Sequence, residues 1–199
     1  EVFTRFNQGA LKQTHNNLDL ALDGKGFFVI DTPDGLRYTR NGSFIINKEG
    51  ILVTKDGYRV MGEKGEIRIK DHNYKIDDHG RVIANMDEHG DPLKMTDPDQ
   101  NEWKRPGVLD TLRIVNFENL RYVKKTGNSF FMETKYSGPA TDVRTERPKV
   151  YQGFLEASNV NPVSEMVRMI EVQRTYEASQ KAIQSHDQTL ARLVELPRL

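Results

Sequence analysis

Cysteine is absent from all 199 residues, which excludes disulfide frameworks, thiolate nucleophiles and Cys-based metal sites together. The redox compartment stays open, because cysteine-free chains tolerate oxidising and reducing surroundings alike. No apolar run approaches the ~20 residues needed to span a bilayer, and no signal-peptide pattern opens the chain, so membrane insertion is not expected. Net charge is absent too: 29 Lys and Arg balance 29 Asp and Glu, and no long basic run stands out. Nothing draws a phosphate backbone from a distance, and nucleic acid is not an expected partner. Apolar residues are scarce at 36% against 29% charged, so part of the chain is expected to be extended and solvated rather than wrapped around one deep core. Position 1 is Glu1 rather than Met, and the first ten residues hold no helix start signal, so the chain reads as a fragment or a processed product.

What is abundant is turn punctuation. Asp23-Gly24, Asp34-Gly35, Asp56-Gly57, Glu49-Gly50 and His79-Gly80 read as hairpin turns between Gly24 and about Val82. Between them lie short runs rich in β-branched and aromatic residues: Phe27 to Ile30, Leu36 to Thr39, Phe44 to Ile46, Ile51 to Thr54, Tyr58 to Met61, Ile67 to Ile69 and Tyr74 to Ile76. Two more follow, Thr111 to Phe117 and Ser129 to Glu133. Strands this close, with no helix between them, predict an antiparallel, hairpin-rich β domain over 24–136. Ala84 to Gly107 is dense in Asp, Glu, Asn and Pro and reads as a charged surface loop. Residues 1–23 read as a connector. Residues 137–161, with Gly138-Pro139 and Arg147-Pro148, read as a linker and return segment.

Past that linker the apolar period changes from two to between three and four. Asn161 fits an N-cap, Pro162 fits the first helical position, where a missing N–H costs nothing, and Pro197 forms the stop. One long helix over 162–196 follows. Met169, Tyr176, Ile183 and Leu190 recur every seven residues, flanked by Met166, Ile170, Val172, Leu193 and Val194. This is a heptad seam of the coiled-coil kind. Gln173, Gln180 and Asp187 interrupt it, as polar residues that set register or partner choice do. The fold class is therefore mainly β with a long C-terminal α-helix, projecting and coiled-coil-like. At ~1.5 Å per residue the helix measures roughly 50 Å, more than a 100-residue domain is wide. The candidate assembly interface comprises Met166, Met169, Ile170, Gln173, Tyr176, Gln180, Ile183, Leu190 and Leu193. Burying six large apolar side chains is worth on the order of 10 kcal/mol gross, so the seam is expected to be covered by another copy of the chain or by its own β domain.

Chemistry-bearing constellations are weak. Asp71, His72, Asp77, Asp78, His79, Asp87, Glu88, His89 and Asp91 are metal-ligand types, but their spacing matches no zincin or EF-hand pattern and they fall where hairpin turns want Asp, His and Gly. His15 and His186 are isolated, and no nucleophile-elbow, His-Glu-x-x-His or phosphate-loop spacing occurs. Gly24-Lys25-Gly26 precedes a strand rather than a helix, and Trp103 stands alone in a polar loop. No enzyme activity, cofactor or metal is expected.

Two stretches are specific. Gln8 to Ile30 reads QGALKQTHNNLDLALDGKGFFVI and is followed by Tyr38 to Phe44, YTRNGSF. Together they resemble the start of the β domain in the bacterial flagellar rod and hook family. Gln152 to Leu190, with GFLEASNVNPVSEMVRMIEVQRTYEASQKAIQSHDQTL, is similar to that family's closing helix. The likeness covers nearly all of the chain except Ala84 to Gly107. Gly62 to Ile69 (GEKGEIRI) and Pro162 after SNVN point to the proximal-rod branch ahead of the distal-rod branch. The resemblance implies a basal-body subunit of the flagellum, exported by the flagellar secretion apparatus and assembled helically in the periplasmic rod. Its partners would be copies of itself and neighbouring rod and hook proteins. It also implies an N-terminal helix, missing here, that pairs with the C-terminal one. A second reading is a β-rich binding module on a helical stalk, adhesin-like or phage-tail-like, that recognises a polymer through the 84–107 loop.

Overall fold

The computed structural model describes Thr4 and residues 6–69, 74–85, 106–127, 129–143 and 147–194. Its strands are β1 (Leu11–Gln13), β2 (Leu20–Asp23), β3 (Phe27–Thr32), β4 (Gly35–Thr39), β5 (Phe44–Ile46), β6 (Leu52–Thr54), β7 (Arg59–Val60), β8 (Tyr74–Ile76), β9 (Arg81–Asn85) and β10 (Pro106–Thr111). They continue as β11 (Ile114–Asn116), β12 (Lys124–Thr126), β13 (Phe130–Met132), β14 (Thr141–Asp142), β15 (Lys149–Gln152) and β16 (Phe154–Glu156), with a short 3-10 turn over Leu120–Tyr122, before the long helix α1 (Pro162–Val194). The chain divides into two compact units, residues 1–157 and 158–199.

Within the first unit every pairing between described strands is antiparallel. The principal sheet runs β12-β13-β4-β3-β7-β6-β5, with β11 joined to β3 and β14 to β11. The glycine turns explain the local topology. Pro33 and Asp34 close β3 onto β4, and Gly35 takes φ 100°. Gly57, at φ 86°, sits in the turn that returns β6 to β7. Asp23-Gly24 differs from the expectation of a hairpin, because it passes the chain from β2, paired with β15, into β3 of another sheet.

The period-two alternation of β3 divides the core. Phe28 and Ile30 point into a large cluster with Leu20, Leu22, Phe44, Leu52, Val60, Ile67, Leu112 and Val150. Phe27 and Val29 face a second cluster with Tyr38, Val115, Phe117, Val123 and Phe131. Here the rings of Phe6, Phe27, Phe117 and Phe131 meet edge-on at 5.1–5.7 Å, the geometry favoured by aromatic quadrupoles. One strand thus supplies apolar side chains to both faces of the sheet, which is why its sequence reads as a continuous apolar run.

The segments read as connector and linker carry strands of their own. β1 pairs with β16 and β2 with β15, so the two ends of the β unit are stitched to each other. Leu20, Ala21 and Leu22 are fully buried. The two edges of the charged loop belong to β9 and β10, whose pairing sets Asn85 opposite Pro106, while residues 86–105 lie outside the described residues. Residues 84, 85, 106 and 107, read as part of the loop, are therefore strand residues.

A candidate assembly surface on the C-terminal helix

The start of α1 is set by local chemistry. The side chain of Asn161 accepts a hydrogen bond from Val163 N–H at 3.0 Å, its carbonyl accepts from Glu165 N–H at 3.2 Å, and Pro162 occupies the first turn. Asn161 therefore serves one of the orphan donors of the helix end, and Pro162 has no N–H to leave unpaired. Glu165 in the first turn complements the helix dipole and lies 3.5 Å from Arg168. Further on, Thr175, Ser179 and Thr189 donate to carbonyls four residues back, at 2.7–2.9 Å. These hydroxyls are satisfied within the helix and need no partner outside it. The helix is described as far as Val194, so the stop expected at Pro197 lies outside the described residues.

The side chains expected to form the interface are bare. Met166 is 63% exposed, Met169 71%, Ile170 52%, Tyr176 64%, Ile183 62% and Leu190 57%. Gln173 and Gln180 are exposed as well, while the Leu193 side chain lies outside the described ones. Within the helical unit the seam is uncovered. Gln173 donates to Glu177 at 3.2 Å and Gln180 to the Tyr176 hydroxyl at 3.4 Å. Both amides thus carry hydrogen bonds along the helix, so covering them does not strand two polar groups.

Helix geometry rearranges the expected interface. At ~100° per residue, Met169, Tyr176, Ile183 and Leu190 drift by only about 20° per heptad and form one stripe. Ile170 stands about 100° to one side of Met169, and Val163 and Val167 stand farther round still, nearly opposite Leu190. Val163 is 67% and Val167 51% exposed, and neither was expected in the interface. The signal for them is the i, i+3, i+4, i+7 set Val163, Met166, Val167 and Ile170, which a search for heptads alone passes over. The first three turns of α1 are therefore apolar over more than half their circumference, while the rest has one apolar side.

The acid and histidine run resolves in its described part into turn chemistry. Asp77 accepts hydrogen bonds from His79 N–H at 3.1 Å and Arg81 N–H at 2.8 Å, and its other oxygen holds Arg81 Nε at 2.6 Å. Burial opposes the charge on Asp77, but the Arg81 and His79 amides and the Arg81 guanidinium together outweigh it and hold the carboxyl below its usual range. Asp71, His72, Asp87, Glu88, His89 and Asp91 lie outside the described residues. A folded pKa below the unfolded one means stability that is present above about pH 4 and lost as pH falls through the folded value. Asp77→Asn is thus expected to lower the melting temperature by about 2–4 °C at pH 7, for a loss near 1 kcal/mol. The gap from the parent should close below about pH 4, and melts over pH 3–7 check both statements.

Comparison with known proteins adds the following. A family described as "Flagellar hook protein FlgE/F/G D1 domain" matches residues 21–84, and one described as "Flagellar basal body rod FlgEFG protein C-terminal" matches residues 151–196. The flagellar basal-body rod protein FlgG of Buchnera aphidicola subsp. Schizaphis graminum is 33% identical over 195 residues, covering 96% of this chain and 69% of that protein. FlgG of Bacillus subtilis is 34% identical over 204 residues, 99% of this chain and 72% of that protein. The flagellar basal-body rod protein FlgF of Caulobacter vibrioides is 34% identical over 184 residues, 90% of this chain and 65% of that protein. Identities this close do not order the two paralogues.

Proposed function

The chain belongs to the flagellar basal-body rod family, and from that premise we propose that it works through the α1 seam, which packs on helices of neighbouring subunits and passes torque along the rod. It is a structural subunit of the bacterial flagellar basal-body rod, and its place is the rod. Its partners are other rod and hook proteins. Export through the flagellar secretion apparatus and helical assembly complete this reading, and no catalytic role is assigned.

The observation that carries the mechanism is the exposure of nine large apolar side chains on one helix, from Val163 to Leu190. Water does not tolerate such a stripe without a cover, and a rod subunit obtains that cover only on assembly. The wide apolar arc of the first three turns fits contact with more than one helix, and the narrower stripe beyond it fits contact with one. The polymer-binding reading rests on the 84–107 loop, most of which lies outside the described residues.

The test is the double substitution Ile183→Asp and Leu190→Asp. Two carboxylates on the stripe are expected to abolish swimming, while near-ultraviolet circular dichroism of the purified chain, which reports the packed rings of the β unit, stays unchanged. Normal swimming with both changes in place would remove the seam from the mechanism.

A further inference from the structure

The β unit carries a polar cleft of about 680 Å³ that the seam does not explain. Glu63 and Lys64 enter it from the turn after β7, Arg113 from the junction of β10 and β11, Asp142 from β14, and Arg147 from the approach to β15. Its volume falls within the range of formed binding sites. Its cations are only partly used. Arg113 spends Nε on Asp142 at 2.9 Å. Arg147 gives one terminal nitrogen to Glu63 at 3.0 Å and the other to the carbonyl of Leu112. The Arg147 Nε is buried with no acceptor among the described residues, an orphan donor of the kind that native structures rarely leave. Lys64 donates to the carbonyl of Leu109 at 3.2 Å and, among the described residues, has no carboxylate on its ammonium. Asp110, close behind, is already occupied by the N–H groups of Lys64 and Thr111.

We propose that this cleft receives an aspartate or glutamate side chain of a neighbouring rod subunit, held by Lys64, Arg113 and Arg147. The reasoning is one of unmet donors. Three cationic groups share a concave wall, each with donors left over after its internal pair, and a carboxylate is the acceptor that fits guanidinium and ammonium donors together. Glu63 and Asp142 fix the two guanidinium groups from the sides, which preorganises the wall and offsets part of its charge while leaving N–H donors open. The contact would couple β units in the outer part of the assembly and therefore rests on the rod-subunit reading.

Carbodiimide coupling of intact hook–basal bodies tests the proposal. The reagent activates a carboxylate, an adjacent lysine amine displaces it, and an amide forms while the carbodiimide leaves as its urea. Mass spectrometry is expected to find Lys64 joined to an aspartate or glutamate of another subunit. Lys64→Arg, which keeps the charge but has no primary amine, should give no such link. Lys64→Gln, which drops the ammonium without adding a like charge beside Glu63, Asp110 and Asp142, should shrink the swimming ring with the melting temperature of the purified chain unchanged. Lys64 joined only to its own chain, or left free as it would be around a small mobile anion, overturns the proposal, as does undiminished swimming of Lys64→Gln. Failure of the rod reading is separate, because it would appear as normal swimming of the Ile183→Asp, Leu190→Asp variant.

Discussion

Gly42→Ala is expected to lower the melting temperature of the β unit by roughly 10 °C or more. A Cβ at this position would lie 1.7 Å from the carbonyl oxygen of Leu20, 2.7 Å from its carbonyl carbon and 3.2 Å from its Cα. All three are backbone atoms, so no rotamer change relieves the contact. The approach is this close because the 41–43 turn is bonded to the start of β2. Leu20 N–H donates to the Gly42 carbonyl at 2.9 Å, Phe44 N–H to the Leu18 carbonyl at 3.3 Å, and Asp19 bridges to Ser43. To make room the turn must move off β2, and Leu20 and Phe44, both buried in the larger core cluster, must move with it. Losing that packing and two hydrogen bonds costs about 4 kcal/mol, a large part of the stability of an ordinary domain. Gly57→Ala is the control. Gly57 has φ 86° but nothing within 4 Å of a Cβ, so its substitution carries backbone strain alone, about 1–2 kcal/mol. Near-ultraviolet melts of the two variants separate steric exclusion from conformational strain. Equal melting temperatures would mean that the 41–43 turn does not press on β2 as described.

Gly42 also marks where sequence reading ends. It stood in YTRNGSF, between two runs of strand-forming residues, but was not among the turns read from the sequence. Its actual reason lies in a backbone approach from Leu20, which no local pattern encodes. The same boundary separates the strands that were legible from those that were not. β3 to β8 announce themselves through β-branched and aromatic runs between glycine turns, and their partners are mostly next in the chain. β1, β2, β15 and β16 are only 3–4 residues each and pair across the full length of the unit, as Leu11 does with Glu156 and Lys149 with Asp23. Short strands with remote partners are stabilised by tertiary contacts, and their residues carry little propensity of their own. The helix was the reverse case. Its cap, first-turn proline and heptads are all local, so α1 was placed at its first residue. Only the circumferential position of Val163 and Val167 was missed, because a heptad count follows one stripe. The cleft around Lys64 was invisible for the tertiary reason again, since its five charged residues come from four separate stretches of chain.

Arg40, in the same motif, leads to the second large effect. Its Nε lies 2.8 Å from the carboxylate of Glu156, and its two terminal nitrogens donate to the carbonyls of Gly24 at 2.7 Å, Gly26 at 3.0 Å and Leu22 at 3.3 Å. The other oxygen of Glu156 accepts from Gly9 N–H at 2.9 Å. The two side chains are only 19% and 12% exposed, so the pair is largely withdrawn from solvent. Four backbone segments therefore meet on one ion pair: the approach to β1, the turn after β2, the turn after β4, and β16, the last strand before α1. Arg40→Ala leaves a buried carboxylate and three carbonyls without their donor, and breaking such a pair costs about 3–5 kcal/mol. Arg40→Lys is expected to recover little of this, because a single ammonium cannot reproduce the planar fork that reaches Glu156 and three carbonyls at once. Glu156→Gln should fall between, since the amide keeps an acceptor oxygen but drops the charge. Hydrogen exchange locates the damage. The amides of Gly9 and of the β1–β16 ladder should lose protection in Arg40→Ala, while Val29 and Ile30 at the centre of the principal sheet keep theirs. On the proposed torque path through α1 and the strand before it, this local fraying should reduce swimming more than the drop in melting temperature alone would. If Arg40→Ala swims normally while the ladder exchanges freely, the joint contributes to folding and has no part in carrying torque.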